Sequence, residues 1–355
     1  MGEAHPTPVS LHVPRWGWLL GWGVATGALA ASLVLLDHRR ILEALAGIQI
    51  PWLLPALLLN LTVPLLWSGL WFLLLPGGRR IPFPSMAQVV AVTAMAVNTV
   101  PFLAGQAVGV LLLARRPGVG HSAALSVLAQ DQLVEGVAKV TLLLLVLSVT
   151  PLPDWLRAAA VVAVGGVLLL GLLLGVAAWA GRRCPPGVAG APEFSAGEGG
   201  VPRRIQRFIF RWAEQLEALR RPGVLTVALV LALAMKGAEA GALRAVQLAF
   251  GAELPLWSVL PVLLAVNLAT MIQLSPGNLG VYEGAVFLIY RWLGVPAELA
   301  VGMALVHHAV LLLSMLAPGY LVIVVRSWGG ARERSAPDRE PPGTPPGTGG
   351  GPAPR

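Results

Sequence analysis

Six stretches of this chain are apolar over enough length to cross a lipid bilayer, and nothing else in it constrains the fold as strongly. They lie near 16–36, 52–75, 122–149, 156–180, 224–250 and 297–326. At about 1.5 Å per helical residue, each matches or exceeds the roughly 30 Å of a hydrocarbon core. Hydrocarbon offers the backbone no hydrogen bonds, so such segments must close their own as α-helices. Composition agrees: 56% of residues are apolar and 12% charged, against about 25% charged in a soluble domain. Mean hydropathy is +0.75. The expected class is an all-α polytopic membrane protein, which excludes a soluble enzyme.

Net charge is +8, but the arginines cluster in loops between spans. The positive-inside rule produces that pattern without any nucleic-acid partner. The loop 181–222 carries Arg182, Arg183, Arg203, Arg204, Arg207, Arg211, Arg220 and Arg221, which places it in the cytoplasm. Within it Ile205, Phe208, Ile209, Trp212, Leu216 and Leu219 recur at helical spacing, the pattern of an interfacial amphipathic helix or of one packed on the bundle. Residues 1–15 are read as a cytoplasmic N-terminus and 327–355, rich in Pro and Gly, as a disordered cytoplasmic tail. The first apolar run exceeds a signal-peptide core of about 7–15 residues, so it is read as a retained span. The expected location is the inner or plasma membrane. A single cysteine, Cys184, allows neither a disulfide framework nor a cysteine-based metal site.

Two further apolar stretches, 86–114 and 256–293, are interrupted by Pro and Gly. Arg79 and Arg80 precede the first, and Arg115 and Arg116 follow it. A full crossing would put one arginine pair outside, whereas a hairpin that dips in and returns keeps both inside. The limb 86–100 reaches only about 22 Å as a helix. Six full transmembrane helices and two re-entrant broken-helix hairpins are therefore expected. The breaks also repeat. Pro101, Gly105 and Gly109 share the spacing of Pro276, Gly280 and Gly284, with Arg116 and Arg291 at equal distances beyond. Two halves, 16–150 and 151–326, would then form an inverted-topology repeat, an architecture of transporters.

Irregular backbone at membrane depth is tolerated only against protein or a hydrated cavity. Asn98 and Gln106 flank the first break, and Asn267, Gln273, Asn278 and Glu283 the second. Intramembrane charge lies nearby. Asp131, Glu135 and Lys139 share one face of a helix, and Lys236 and Glu239 stand one turn apart. A charge at mid-bilayer costs about 2.5–3.5 kcal/mol or more unless paired or hydrated. Glu135–Lys139 and Lys236–Glu239 are either structural pairs or part of a substrate path. Asp131 and Glu283 have no obvious local partner, which favours a functional role. His307 and His308 fall opposite Asp131 and Gln132 under the repeat offset; a proton relay and a buried structural pair are both open. No histidine spacing or carboxylate set suggests a metal, and no cofactor motif is present.

The segments Asn98-Thr-Val-Pro101-Phe-x2-Gly105-Gln106, Asp131-Gln-Leu-Val-Glu135 and Ser275-Pro-Gly-Asn-Leu-Gly-Val-Tyr-Glu283-Gly284 resemble the flippase-like family. That family comprises the transmembrane region of lysylphosphatidylglycerol synthases and its stand-alone relatives. The resemblance covers about 20–326. It implies movement of aminoacylated or glycosylated lipids between leaflets. Family members usually carry Arg and Glu after the first proline and an acidic–Arg pair on the next helix; here those positions resemble Leu103, Gln106 and Asp131-Gln132. The family's second acidic position corresponds to Glu283.

The expectation is a lipid translocator rather than an enzyme, since no soluble aminoacyl-transferase domain follows the spans. Its substrate path would include Asn98, Gln106, Asp131, Glu135, Lys139, Lys236, Glu239, Asn278, Glu283, His307 and His308. Pro101, Gly105, Gly109, Pro276, Gly280 and Gly284 would shape the breaks. The partner is a membrane lipid, with a lipid-synthesis enzyme as a second possible partner. The rival readings are a membrane-embedded transferase acting on a lipid carrier and a non-transporting scaffold of a lipid-synthesis complex.

Overall fold

The computed structural model describes residues 37–76, 81–100, 104–182, 221–271 and 275–334, together with 19, 23, 26, 27, 216 and 273 singly. Apart from those single residues, the span expected at 16–36 and the amphipathic segment 203–220 lie outside this set, as do the Arg79–Arg80 pair, Pro101, Cys184 and the residues beyond 334.

The described chain is helical. A short amphipathic helix, α1 (His38–Ala46), is capped by Asp37, whose carboxylate accepts from Arg39 N–H. It leads into α2 (Leu53–Leu74), then α3 (Phe83–Val97), α4 (Ala104–Ala114) and α5 (Gly120–Val149). After a four-residue link come α6 (Asp154–Arg182), α7 (Pro222–Ala249), α8 (Val259–Ala269), α9 (Val281–Trp292) and α10 (Ala297–Arg334). Among the described residues, five helices are long and apolar enough to cross a membrane, namely α2, α5, α6, α7 and α10. Their outward faces carry unpaired apolar side chains such as Leu58, Leu144, Val162, Leu168, Val230 and Leu321, a surface suited to acyl chains. The chain is an integral membrane protein. One boundary differs from expectation: α10, which runs through Pro318, continues past residue 327 to Arg334, a stretch with no proline in it.

Five hydrogen bonds between helices orient the bundle. Gln49 N–H donates to Ala249 O over 2.8 Å, so the start of α2 meets the end of α7, and these two helices pack along their length. Arg116 donates to Ser85 O at 3.5 Å, which puts the start of α3 and the end of α4 at one end of the bundle. Arg326 donates to Gln88 at that same end. At the other end Gln247 donates to Ser258 Oγ at 3.1 Å and to Tyr290 Oη at 3.3 Å, which ties the end of α7 to the start of α8 and the end of α9. So α3–α4 and α8–α9 are helical hairpins rooted at opposite ends. Their apolar side chains belong to two separate cores, one around Trp71, Met86 and Leu113 and one around Leu264, Ile289 and Met303.

Gly105 explains how α3 and α4 close so tightly. A Cβ there would lie 2.5 Å from Val97 Cα, against backbone that cannot move aside. One turn on, a Cβ at Gly109 would meet Thr93 Cγ2 at 2.6 Å. The glycine spacing is thus the contact face of an antiparallel pair. Gly105→Ala should destabilise the protein by about 1–3 kcal/mol through overpacking. Gly284, whose Cβ position has nothing within 4 Å, should accept alanine with little change. Thermal unfolding of the two variants in detergent checks the contrast; equal stabilities would mean the α3–α4 approach is not close.

Candidate functional site

The two chain breaks meet. Asn98 ends α3, and its side-chain amide turns back to donate to Ala94 O at 2.8 Å. Its own carbonyl oxygen would stand 3.1 Å from a Cβ placed at Gly277, so the two breaks touch with no room for a side chain between. The second break is a short 3-10 turn, Pro276–Asn278. Gly277 (φ 61°), Asn278 (φ 54°) and Gly280 (φ 82°) all occupy the left-handed region. That region costs a side chain about 1–2 kcal/mol, and glycine and asparagine tolerate it best. Pro276 and Asn278 are buried, while Gly280 caps α9. Gly105, Gly109 and Gly284 lie inside helices on the far sides of the breaks rather than in them.

Glu283 organises the second break. One of its oxygens accepts from Gly280 N–H at 2.7 Å, closing the first turn of α9. Its other oxygen lies 2.7 Å from His308 Nδ1 on α10; with a carboxylate accepting, the hydrogen resides on Nδ1. The Tyr282 ring stacks on His308 with centroids 4.2 Å apart and on His307 at 5.5 Å. A hydrogen bond joins Tyr282 Oη and His307 Nδ1. Both histidines are buried, and the Nε2 atom of each has no hydrogen-bond partner among the described residues. The same is true of Gln106 Oε1, Gln273 Oε1 and Asn278 Oδ1, so unpaired polar atoms gather on the residues of both breaks and on the helix behind them.

A second polar layer joins the halves of the chain. Lys236 on α7 reaches Glu239 at 3.0 Å and Glu135 on α5 at 3.3 Å. Glu135 has Lys139 at 3.8 Å on its own helix. Asn267 on α8 donates to Glu239 at 3.4 Å. Two ammoniums and two carboxylates therefore balance, with Lys236 at the centre. Asp131, one turn before Glu135, is buried and accepts from Trp67 Nε1 on α2 at 3.0 Å and from Gln132 Nε2 at 3.2 Å. Trp67 stands edge-on to Trp71 with centroids 5.6 Å apart.

The structure thus brings together most of the residues expected from sequence, but in two groups. Glu283, His307, His308 and Asn278 surround the second break, while Asp131, Glu135, Lys139, Lys236 and Glu239 form the ionic layer. The expected local pairs, Glu135–Lys139 and Lys236–Glu239, both exist, and Glu135–Lys236 links them. Asp131 and Glu283, which have no oppositely charged neighbour along the chain, gain Trp67 and His308 from other helices besides Gln132 and Gly280 on their own. Trp67 and Tyr282 were not anticipated; an indole N–H or phenol in an apolar helix gives no sign in sequence of which carboxylate or imidazole it will face. Arg244 serves the fold, donating to Gln247 at 3.1 Å and Leu254 O at 2.9 Å. Among the described residues, no three of His, Cys, Asp and Glu gather as a metal ion would require.

The model of the family described as the lysylphosphatidylglycerol synthase TM region matches residues 18–319. No curated protein matches the chain.

Proposed function

The chain belongs to the family of the lysylphosphatidylglycerol synthase transmembrane region, and from that premise we propose that it is a lipid translocator. It moves a polar-headed lipid or lipid-linked precursor between leaflets and is not itself a synthase. The observation that carries this reading is the meeting of two broken hairpins, rooted at opposite ends, beside buried polar atoms with no hydrogen-bond partner among the described residues. Backbone breaks and unpaired polar groups at membrane depth are costly unless they serve a cavity or substrate. The polar head group would pass between the breaks and the ionic layer while its acyl chains stay in lipid.

An inverted repeat underlies this reading, with six spans once 16–36 is counted and re-entrant hairpins α3–α4 and α8–α9. Support comes from the neighbour pattern. Exchanging α2, α3, α4 and α5 for α7, α8, α9 and α10 turns each contact into another that exists: α2–α3 into α7–α8, α2–α10 into α7–α5, α3–α10 into α8–α5. Alternating access by rocking one half against the other is the usual consequence. The positive-inside rule puts the Arg116–Arg326 end, and with it both termini, in the cytoplasm of a cell with this protein in its inner or plasma membrane.

Leaflet-resolved lipid transport in proteoliposomes tests the proposal. Wild-type protein should accelerate exchange over empty vesicles. Asp131→Asn keeps the size of the side chain but removes its charge from beside Trp67, and should slow exchange about tenfold, a barrier change of about 1.4 kcal/mol. No acceleration by wild-type protein with any lipid class, or turnover of a lipid-linked donor instead, would overturn the translocator reading in favour of the transferase.

A further inference from the structure

Lys139 is the under-partnered member of the ionic layer. Lys236 contacts both carboxylates at 3.0–3.3 Å, whereas Lys139 has only Glu135 at 3.8 Å, through an oxygen that Lys236 already engages. An ammonium carries three donors, so the donors of Lys139 are poorly used. Of the 25 basic residues, only Lys139 and Lys236 are lysines, compact point charges rather than planar forks.

Lys139 also faces space. A cavity of about 240 Å³ lies between α5, α6 and α8, with Lys139, Gln132, Gly166, Val167, Leu264 and Met271 among its walls. Gly136 lets α5 touch α6 at Val167, where a Cβ would be 2.7 Å away. Beside that contact the helices part, and Cβ positions at Gly165 and Gly166 have nothing within 4 Å. Apart from Gln132 and Lys139 the lining is apolar. Gln132 is exposed and Lys139 half-buried, so the space is a groove open to the outside of the bundle. Lys139 stands about 15 Å from the C-terminal end of α5, near the middle of a hydrocarbon core of about 30 Å.

The geometry points to a lipid site in this groove: the phosphodiester of a glycerophospholipid pairs with Lys139, and the start of an acyl chain lies along the glycine face of α6. The apolar walls suit a lipid and not a free phosphate. A phosphate at this depth is one caught between leaflets, so the inference rests on the translocator reading and adds to it a substrate class and a lateral point of residence. With the phosphate present Lys139 gains a charge-assisted partner, while Lys236 keeps its contacts to both Glu135 and Glu239.

The experiment reads binding, not transport. Purified full-length protein in detergent is titrated with dioleoyl phosphatidylglycerol or dioleoylglycerol, which has the same chains without the phosphate, and occupancy is followed by native mass spectrometry. Wild-type protein should prefer the phospholipid by about tenfold or more. Lys139→Gln should abolish that preference, and Lys139→Arg should retain it. Gly166→Leu fills the groove with a good helix former and should exclude both lipids. A phospholipid preference that survives Lys139→Gln, or binding that survives Gly166→Leu in a folded protein, overturns the site. If the binding results hold but proteoliposomes show no transport, the site stands and the translocator reading falls.

Discussion

Lys236→Met will destabilise this protein by about 3–5 kcal/mol, the cost of breaking a buried pair from one side. Lys236 is 8% exposed and stands 3.3 Å from Glu135 and 3.0 Å from Glu239. Its removal leaves Glu239 with only the Asn267 amide at 3.4 Å and Glu135 with Lys139 at 3.8 Å. Methionine fills a similar volume, so packing changes little and the loss is electrostatic. Neutralising the stranded carboxylates should therefore restore much of the stability. The quadruple variant Lys139→Met, Lys236→Met, Glu135→Gln, Glu239→Gln, which leaves no charge stranded in the layer, is expected to lie within about 1–2 kcal/mol of wild type, as replaced buried ionic groups often do. Unfolding in mixed micelles measures all three states. A single variant that loses less than about 1 kcal/mol would mean the layer is hydrated enough to screen itself. The quadruple variant also separates the two roles left open by the sequence. If it is stable yet inactive in lipid transport, the layer belongs to the path; if it is stable and active, the layer is a clamp between α5 and α7.

The clamp shows where sequence is informative and where it stops. Helix spacing places Glu135 beside Lys139 and Lys236 beside Glu239, because side chains three and four apart share a face. It contains nothing about how α5 is rotated against α7, and that rotation makes the Glu135–Lys236 bond. The spans are legible because the transfer cost of charge keeps apolar runs intact. The breaks are legible because Pro276, Gly277 and Gly280 impose a backbone that no helix continues through. In the helices beyond the breaks, equal spacing conceals unequal packing. Gly109 presses on Thr93 and Trp71, while the matching Gly284 meets nothing. The repeat offset likewise sets His307 and His308 against Asp131 and Gln132, yet Asp131 turns to Trp67 and His308 to Glu283. In the proposed repeat the backbone path is kept more faithfully than the polar contacts, since each half faces different neighbours.

Glu283→Gln should reduce lipid transport by about a hundredfold, a barrier change of about 2.7 kcal/mol, with a smaller effect on global stability. The carboxylate holds the break from two sides, accepting from Gly280 N–H at 2.7 Å and bridging to His308 at 2.7 Å. Each such charge-assisted bond is worth about 1.5–3 kcal/mol. Glutamine has one acceptor oxygen, so it can keep the α9 cap or the His308 contact but not both. Its amide nitrogen would then oppose a donor. Glu283→Asp, one methylene shorter, keeps the charge but cannot span both contacts, and should fall in the same direction by less. His308→Gln tests whether the two groups act as a unit. If they do, the Glu283→Gln, His308→Gln double variant transports no more slowly than the worse single, with a coupling in the range of about 0.5–3 kcal/mol for residues in contact. Strict additivity would show that Glu283 works through the helix cap alone and that the α9–α10 bridge is incidental. Transport unchanged in Glu283→Gln, in protein that unfolds like wild type, would remove the second break from the mechanism. The proposed path would then run through the ionic layer and the Lys139 groove only.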